Sequence, residues 1–163
     1  MVLSLGSNLG DRLAHLQAAV DVVHRRLGVL AVSPVYETAP VGGPPQDDYL
    51  NAVLLTAVER PWDALEAARE AEAARARQRT ERWGPRTLDV DVVSVDDVVA
   101  DDPELTLPHP RAHERAFVLA PWLDVDEAAE LAGHGAVARL LAALDSSGVR
   151  RRDDLVLRVP GAP

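Results

Sequence analysis

Cysteine is absent from the 163 residues, and so is lysine; all 17 basic residues are arginine. The first absence excludes disulfides, thiolate metal sites and cysteine nucleophiles. The second excludes a standard Walker-A loop, whose lysine reaches the phosphates, and Schiff-base chemistry. Any phosphate must then be held by arginine, backbone N–H groups or a metal ion. Aromatic residues are scarce too, with three Trp, two Tyr and one Phe. No apolar run approaches the roughly 18 residues that a membrane span needs. The opening MVLSLGSNLGDR has no basic n-region and no long apolar h-region, so no signal peptide is read there. The expected location is cytoplasmic, with no membrane partner.

What is present is an ordinary globular composition, 47% apolar, at the length of one domain, 1–163. The net charge of -9 argues against a nucleic-acid partner. Its distribution is sharper than its total. From Arg75 to Arg86 stand five arginines against one acid, Glu81; from Thr87 to Glu104 stand seven acids and no base. A cationic block abutting an anionic block suits a ligand that carries both phosphate and metal.

Met1 to Leu5 reads as a buried strand ending at Gly6. Asp11 is a fair N-cap for an amphipathic helix carrying Leu13, Leu16, Val20, Val23 and Leu27, closed by Gly28. Leu30 to Tyr36 reads as a strand, Glu37 to Asp48 as a long loop, and Tyr49 to Val58 as a central strand. Pro61 starts a second helix, continued to about Arg75. Ala76 to Leu88 reads as a mobile arginine-rich loop. Asp89 to Val95 alternates as a strand with one polar and one apolar face. Helix is expected over Ala112–Ala120 and Val137–Leu144, and a last strand over Leu155–Val159. The core order is strand, helix, strand, strand, helix, strand. That is the split βαβ order of a ferredoxin-like α+β sandwich, with helices covering one face of an antiparallel sheet.

The chemistry-bearing motifs follow this frame. Asp89 and Asp91 are two apart in a strand and so share a face. Side by side they repel unless a cation lies between them, and a nucleotide-bound magnesium uses one or two carboxylates plus phosphate oxygens. The arginine block beside them completes the usual parts for phosphoryl transfer. Gly84-Pro85 turns the chain just before the strand and would present Trp83 for stacking and Arg86 for phosphate. Prolines on both sides of His109 deny the helix that would align it with His113, and no Glu follows as in HExxH, so zinc is disfavoured. Tyr49 and Asn51 are again two apart, and the Asn51 amide suits the polar edge of a heterocycle.

Together these segments resemble the 6-hydroxymethyl-7,8-dihydropterin pyrophosphokinase family. The matching stretches are LGSNLGD from Leu5, SPVYETAP from Ser33, DYLNA from Asp48, RWGPRTLDVD from Arg82 and LTLPHP from Leu105. They stand in family order and cover roughly residues 1–145; RWGPRTLD-x-D is highly specific. The resemblance implies a magnesium-dependent transfer of pyrophosphate from ATP to the pterin alcohol in folate biosynthesis. It implies that Asp89 and Asp91 ligate two magnesium ions, with Arg77, Arg79 and Arg86 as phosphate contacts. Glu72, Thr106, His109 and Arg115 fall on nucleotide-lining positions. Thr38, Val41, Tyr49, Asn51, Trp83 and Phe117 would line a pterin pocket, two rings sandwiching the ligand while Asn51 reads its edge. Arg77 and Arg79 would belong to a loop that closes over the nucleotide. A monomer is expected.

Two other readings stay open at this point. A metal-dependent phosphohydrolase would use Asp89 and Asp91 to activate water, but gives Trp83 and Phe117 no reason to converge. A noncatalytic ferredoxin-like ligand sensor would bind without turnover. No residue is assigned as general base.

Overall fold

The computed structural model describes residues 1–41, 43–57, 60–75 and 86–161. The first strand, β1 (Val2–Ser7), leads into α1 (Arg12–Leu27). The helix begins where the Asp11 carboxylate accepts the Ala14 N–H at 3.0 Å, and it ends at Gly28, whose φ of 69° few other residues adopt. Next come β2 (Val29–Val32), β3 (Tyr36–Thr38) and the long β4 (Tyr49–Thr56). The strand expected over Leu30–Tyr36 is thus two strands. Pro34 has no N–H for the ladder, and at the break the Ser33 hydroxyl accepts the Val53 N–H at 2.9 Å.

Helix α2 (Pro61–Ala74) starts on its proline, as expected, and β5 (Asp89–Ser94) follows. A two-strand ribbon pairs β6 (Ala100–Asp101) with β7 (Thr106–Leu107). A single 3₁₀ turn, Ala112–Glu114, precedes α3 (Ala116–Val125), so the helix expected over Ala112–Ala120 begins later and runs further. A second ribbon, β8 (Glu130–Leu131) with β9 (Gly135–Ala136), leads into α4 (Val137–Ala142). The last strand is β10 (Val149–Arg151), not Leu155–Val159. Leu157 instead plugs the core, and the Gln17 side chain holds Arg158 through both its N–H and C=O, leaving that segment no ladder.

The main sheet runs β10-β3-β4-β1-β5, with β2 pairing β4 in line with β3, and every pairing is antiparallel. With β4 between β1 and β3, this is the split βαβ arrangement read from the sequence. Helices cover both faces of the sheet, not the one face expected. α1 and α2 pack over Leu3, Leu5, Leu50, Leu54 and Val90. α3 lies on the opposite face, where Leu119 and Trp122 meet Val2, Val53 and Val93. α3 is apolar nearly all round, as a helix sandwiched between layers should be.

Candidate active site

Alternation along three strands creates the site. In β1, Leu3 and Leu5 go into the core under α1, so Ser4 and Gly6 face the other way. In β4, Leu50 and Ala52 do the same, which turns Tyr49 and Asn51 outward. In β5, Val90 and Val92 are core, which leaves Asp89 and Asp91 on the α3 face. Register then aligns the rows. Asn51, Gly6 and Asp89 lie side by side across three strands, and Val53, Ser4 and Asp91 form the next row. Gly6 is needed between them: a Cβ there would lie 3.3 Å from Asn51 Oδ1 and 3.6 Å from Tyr49 Cδ1.

This floor opens into a cleft with a cavity volume of about 140 Å³. Thr38, Val41, Gln46 and Tyr49 line it from β3, β4 and the segment between them; Arg86, Asp89, Asp91, Arg111, Glu114, Arg115 and Phe117 line it from β5, α3 and the segments that precede them. Asn51 is buried, and its Nδ2 donates to Thr38 Oγ1 at 2.8 Å, which orients the amide. Val41, by contrast, is 70% exposed at the rim. The Arg115 guanidinium sits 5.7 Å from the Phe117 ring centroid, a cation–π contact.

Each carboxylate already faces a cation. Arg86 pairs with Asp89, and Arg115 Nη1 with Asp91 Oδ2 at 3.0 Å. Burial works against the Arg86 cation, but Asp89 outweighs it and raises its pKa. His109 Nε2 lies 3.7 Å from Asp91 Oδ2, and its Nδ1 accepts the Arg111 N–H at 3.1 Å. Burial lowers the His109 pKa against the pull of Asp91, and Arg115 adds to the lowering. The ring is therefore neutral at pH 7, with its Nε2–H toward the carboxylate.

Nine of the residues expected at the site thus meet around one cleft: Thr38, Val41, Tyr49, Asn51, Arg86, Asp89, Asp91, Arg115 and Phe117. His109 stands at its edge. Glu72 does not line it among the described residues; its carboxylate reaches β5 from the edge and accepts the Val90 N–H at 3.0 Å. Thr106 is exposed on β7, its hydroxyl donating to Asp102 O at 3.2 Å. Arg77, Arg79 and Trp83 lie outside the described residues. Ser4, Gly6, Gln46, Arg111 and Glu114 line the cleft without having been singled out by sequence.

The donor set fits a hard divalent cation. Asp89 and Asp91 offer oxygen only, on one strand face at the cleft. No group of three or more His, Cys, Asp or Glu among the described residues could hold a metal by itself. The remaining ligands would have to be water or ligand oxygens, the usual situation for magnesium on a nucleotide.

A ferredoxin-like sheet with paired carboxylates and arginines gathered at one cleft is the layout of a phosphoryl-transfer enzyme. The profile of the 7,8-dihydro-6-hydroxymethylpterin-pyrophosphokinase (HPPK) family matches residues 2–127, and the chain belongs to that family. It is 48% identical over 168 residues to the 2-amino-4-hydroxy-6-hydroxymethyldihydropteridine pyrophosphokinase of Mycobacterium leprae, covering 92% of this chain and 87% of that one. It is 40% identical over 131 residues to the Bacillus subtilis enzyme of the same name, covering 78% of each.

Among solved structures it superposes on an HPPK-DHPS crystallised with substrates, at a TM-score of 0.63 and 10% identity, over 87% of this chain. Wild-type Plasmodium falciparum HPPK-DHPS bound to SDX-DHP gives a TM-score of 0.58 at 15% identity over 86%. These two likenesses speak to the fold. The chain spans 42% of the length of each of those two structures. No helix among the described residues is long and apolar enough to cross a membrane.

Proposed function

We propose that this chain transfers the pyrophosphoryl group of ATP to 6-hydroxymethyl-7,8-dihydropterin, giving the pterin diphosphate and AMP for tetrahydrofolate synthesis. One observation carries the reading in a chain of this family: the row Asn51–Gly6–Asp89. It puts an oriented amide and a carboxylate on one floor, one strand apart on either side of a glycine. A flat ligand with a polar edge and a polyphosphate can meet there.

In this reading Asn51 and Thr38 read the pterin edge, and Tyr49, Phe117 and Val41 supply its apolar walls, joined by Trp83. A site built to hydrogen-bond a ligand rejects analogues that lack the group. Asp89 and Asp91 hold two magnesium ions, which when bound neutralise the phosphate charge and fix the phosphate oxygens. Arg86 and Arg115 pass from their carboxylates to phosphate as the ligands arrive. Arg77 and Arg79 add phosphate contacts, and Glu72, Thr106 and His109 complete the nucleotide side. The pterin hydroxymethyl oxygen attacks the β-phosphorus of ATP; the bond to the α-phosphate oxygen breaks, and AMP leaves. Positioning and charge neutralisation carry most of such a reaction, so no general base is assigned. The chain acts as a cytoplasmic monomer.

Phosphorus NMR of the products, after incubation with magnesium, ATP and the pterin alcohol, tests this. AMP with a pterin diphosphate is expected. Free phosphate would indicate hydrolysis, and no turnover would indicate a binding module; either result overturns the proposal.

A further inference from the structure

Asn8 follows β1 directly and is 1% exposed. It bridges two segments far apart in sequence. Its Nδ2 donates to Gln46 Oε1 at 2.9 Å and to Asp47 O at 3.0 Å. Its Oδ1 accepts the Arg86 N–H at 2.8 Å, and its own N–H donates to Arg86 O at 3.1 Å. Gln46 and Arg86 both line the cleft, one ahead of β4 and the other ahead of β5, the two strands that flank β1. An amide of this length offers donor and acceptor at once; Asp would keep only the acceptor, and Ala neither.

Neither segment has a ladder of its own. The stretch 43–48 carries two prolines and no strand or helix, and Arg86 precedes β5. Side-chain anchors, with the Asn8 N–H on Arg86 O, therefore set their positions. Arg12 Nη1, donating to Asp48 O at 2.8 Å, is a second anchor on the first segment. On the other, the fully buried Ser7 hydroxyl donates to Thr87 O at 2.6 Å.

We infer that Asn8 is a positioning residue that sets the two walls of the cleft against each other. Its donor arm fixes the pterin wall through residues 46 and 47, and its acceptor arm fixes the phosphate wall through Arg86. The inference rests on the function proposed above. Losing an arm frees chain entropy that substrate must then overcome, so affinity falls on the side that lost its anchor.

Titration calorimetry on the full chain separates the arms, with 6-hydroxymethylpterin and a nonhydrolysable ATP analogue plus magnesium as probes. Wild-type binding of both probes is read first and tests the function itself; binding of neither sinks the function and this inference together. Asn8→Asp is expected to weaken pterin about fivefold while leaving the ATP analogue within about twofold, and Asn8→Ala to weaken both about fivefold. A merely structural Asn8 would lower Tm and leave both Kd values unchanged well below unfolding. That result, or equal losses in Asn8→Asp, overturns the inference. Should the Asn8 variants not fold, Ser7→Ala decides, because its hydroxyl holds only the phosphate wall. It should weaken the ATP analogue about threefold with pterin within about twofold; a pattern without that asymmetry overturns the division.

Discussion

On the sheet face that α3 covers, Val2, Val53 and Val93 are packed against Leu119 and Trp122. Two positions along the same three strands stand Ser4, Asn51 and Asp91, lining the cleft. Backbone and face are common to both halves, since residues two apart in a strand point the same way. What differs is one side chain per strand and the cover above it. Core and site here are neighbouring stretches of one surface, divided at the start of α3, where Arg115 and Phe117 line the cleft. The packed valine half anchors the same strands that carry the carboxylates and the amide.

The largest effect should come from the polar half. Asp89→Ala and Asp91→Ala are each expected to reduce turnover by about a thousandfold or more at saturating magnesium, with the circular dichroism spectrum unchanged. Near-wild-type turnover in either variant would remove that carboxylate from the metal site. Next in size, Arg77→Ala with Arg79→Ala should lower turnover by about a hundredfold with pterin affinity little changed. Loss of pterin affinity in equal measure would put these arginines outside the phosphate side.

Asn51→Ala should weaken pterin about tenfold, the cost of leaving a buried polar edge unpaired, and the ATP analogue far less. Equal losses measured by calorimetry would move Asn51 out of the pterin wall. The smallest expected effect lies beyond the floor, at Glu37 on β3. Its buried carboxylate meets Arg12 at 2.9 Å, Arg152 at 2.7 Å and Arg150 at 3.2 Å. Burial pushes the Glu37 pKa up, but the hydrogen bonds from Arg12 and Arg152 outweigh it and hold it below the ordinary value of 4.5. A carboxylate lowered on folding contributes stability above its unfolded pKa and loses it as pH falls through the folded one. Glu37→Gln should therefore cost about 1–3 kcal/mol at pH 7. The gap from wild type should narrow below pH 4.5. A gap independent of pH in thermal melts would mean that the charge does not matter.

Much of this was legible in the sequence because it rests on period two. The alternation Asp89-Val90-Asp91-Val92 fixes which side of β5 is polar, and Tyr49-Leu50-Asn51-Ala52 does the same for β4. The split βαβ order could be read from the succession of patterns. Other features depend on distant partners. The break at Pro34 keeps its place in the sheet through Val53, on another strand. β10 is arginine-rich with no apolar alternation, and only its pairing with β3 makes it a strand. α3 reads as a helix, but nothing local says that it covers the second face. Asn8 looks like a turn residue, and its hydrogen bonds to residues 46, 47 and 86 exist only in three dimensions.

Turnover and Tm measured together on two single variants test the division of the face most directly. Asp91→Val extends the valine half into the cleft, and Val53→Asp carries the polar half under α3. Asp91→Val should lose turnover while Tm stays within a few degrees of wild type, because the site is half-exposed and no core is disturbed. Val53→Asp should lower Tm by about 10 °C or more, since a carboxylate would be buried there without a partner. If Asp91→Val keeps its turnover, or lowers Tm as far as Val53→Asp does, the two halves are not divided as described.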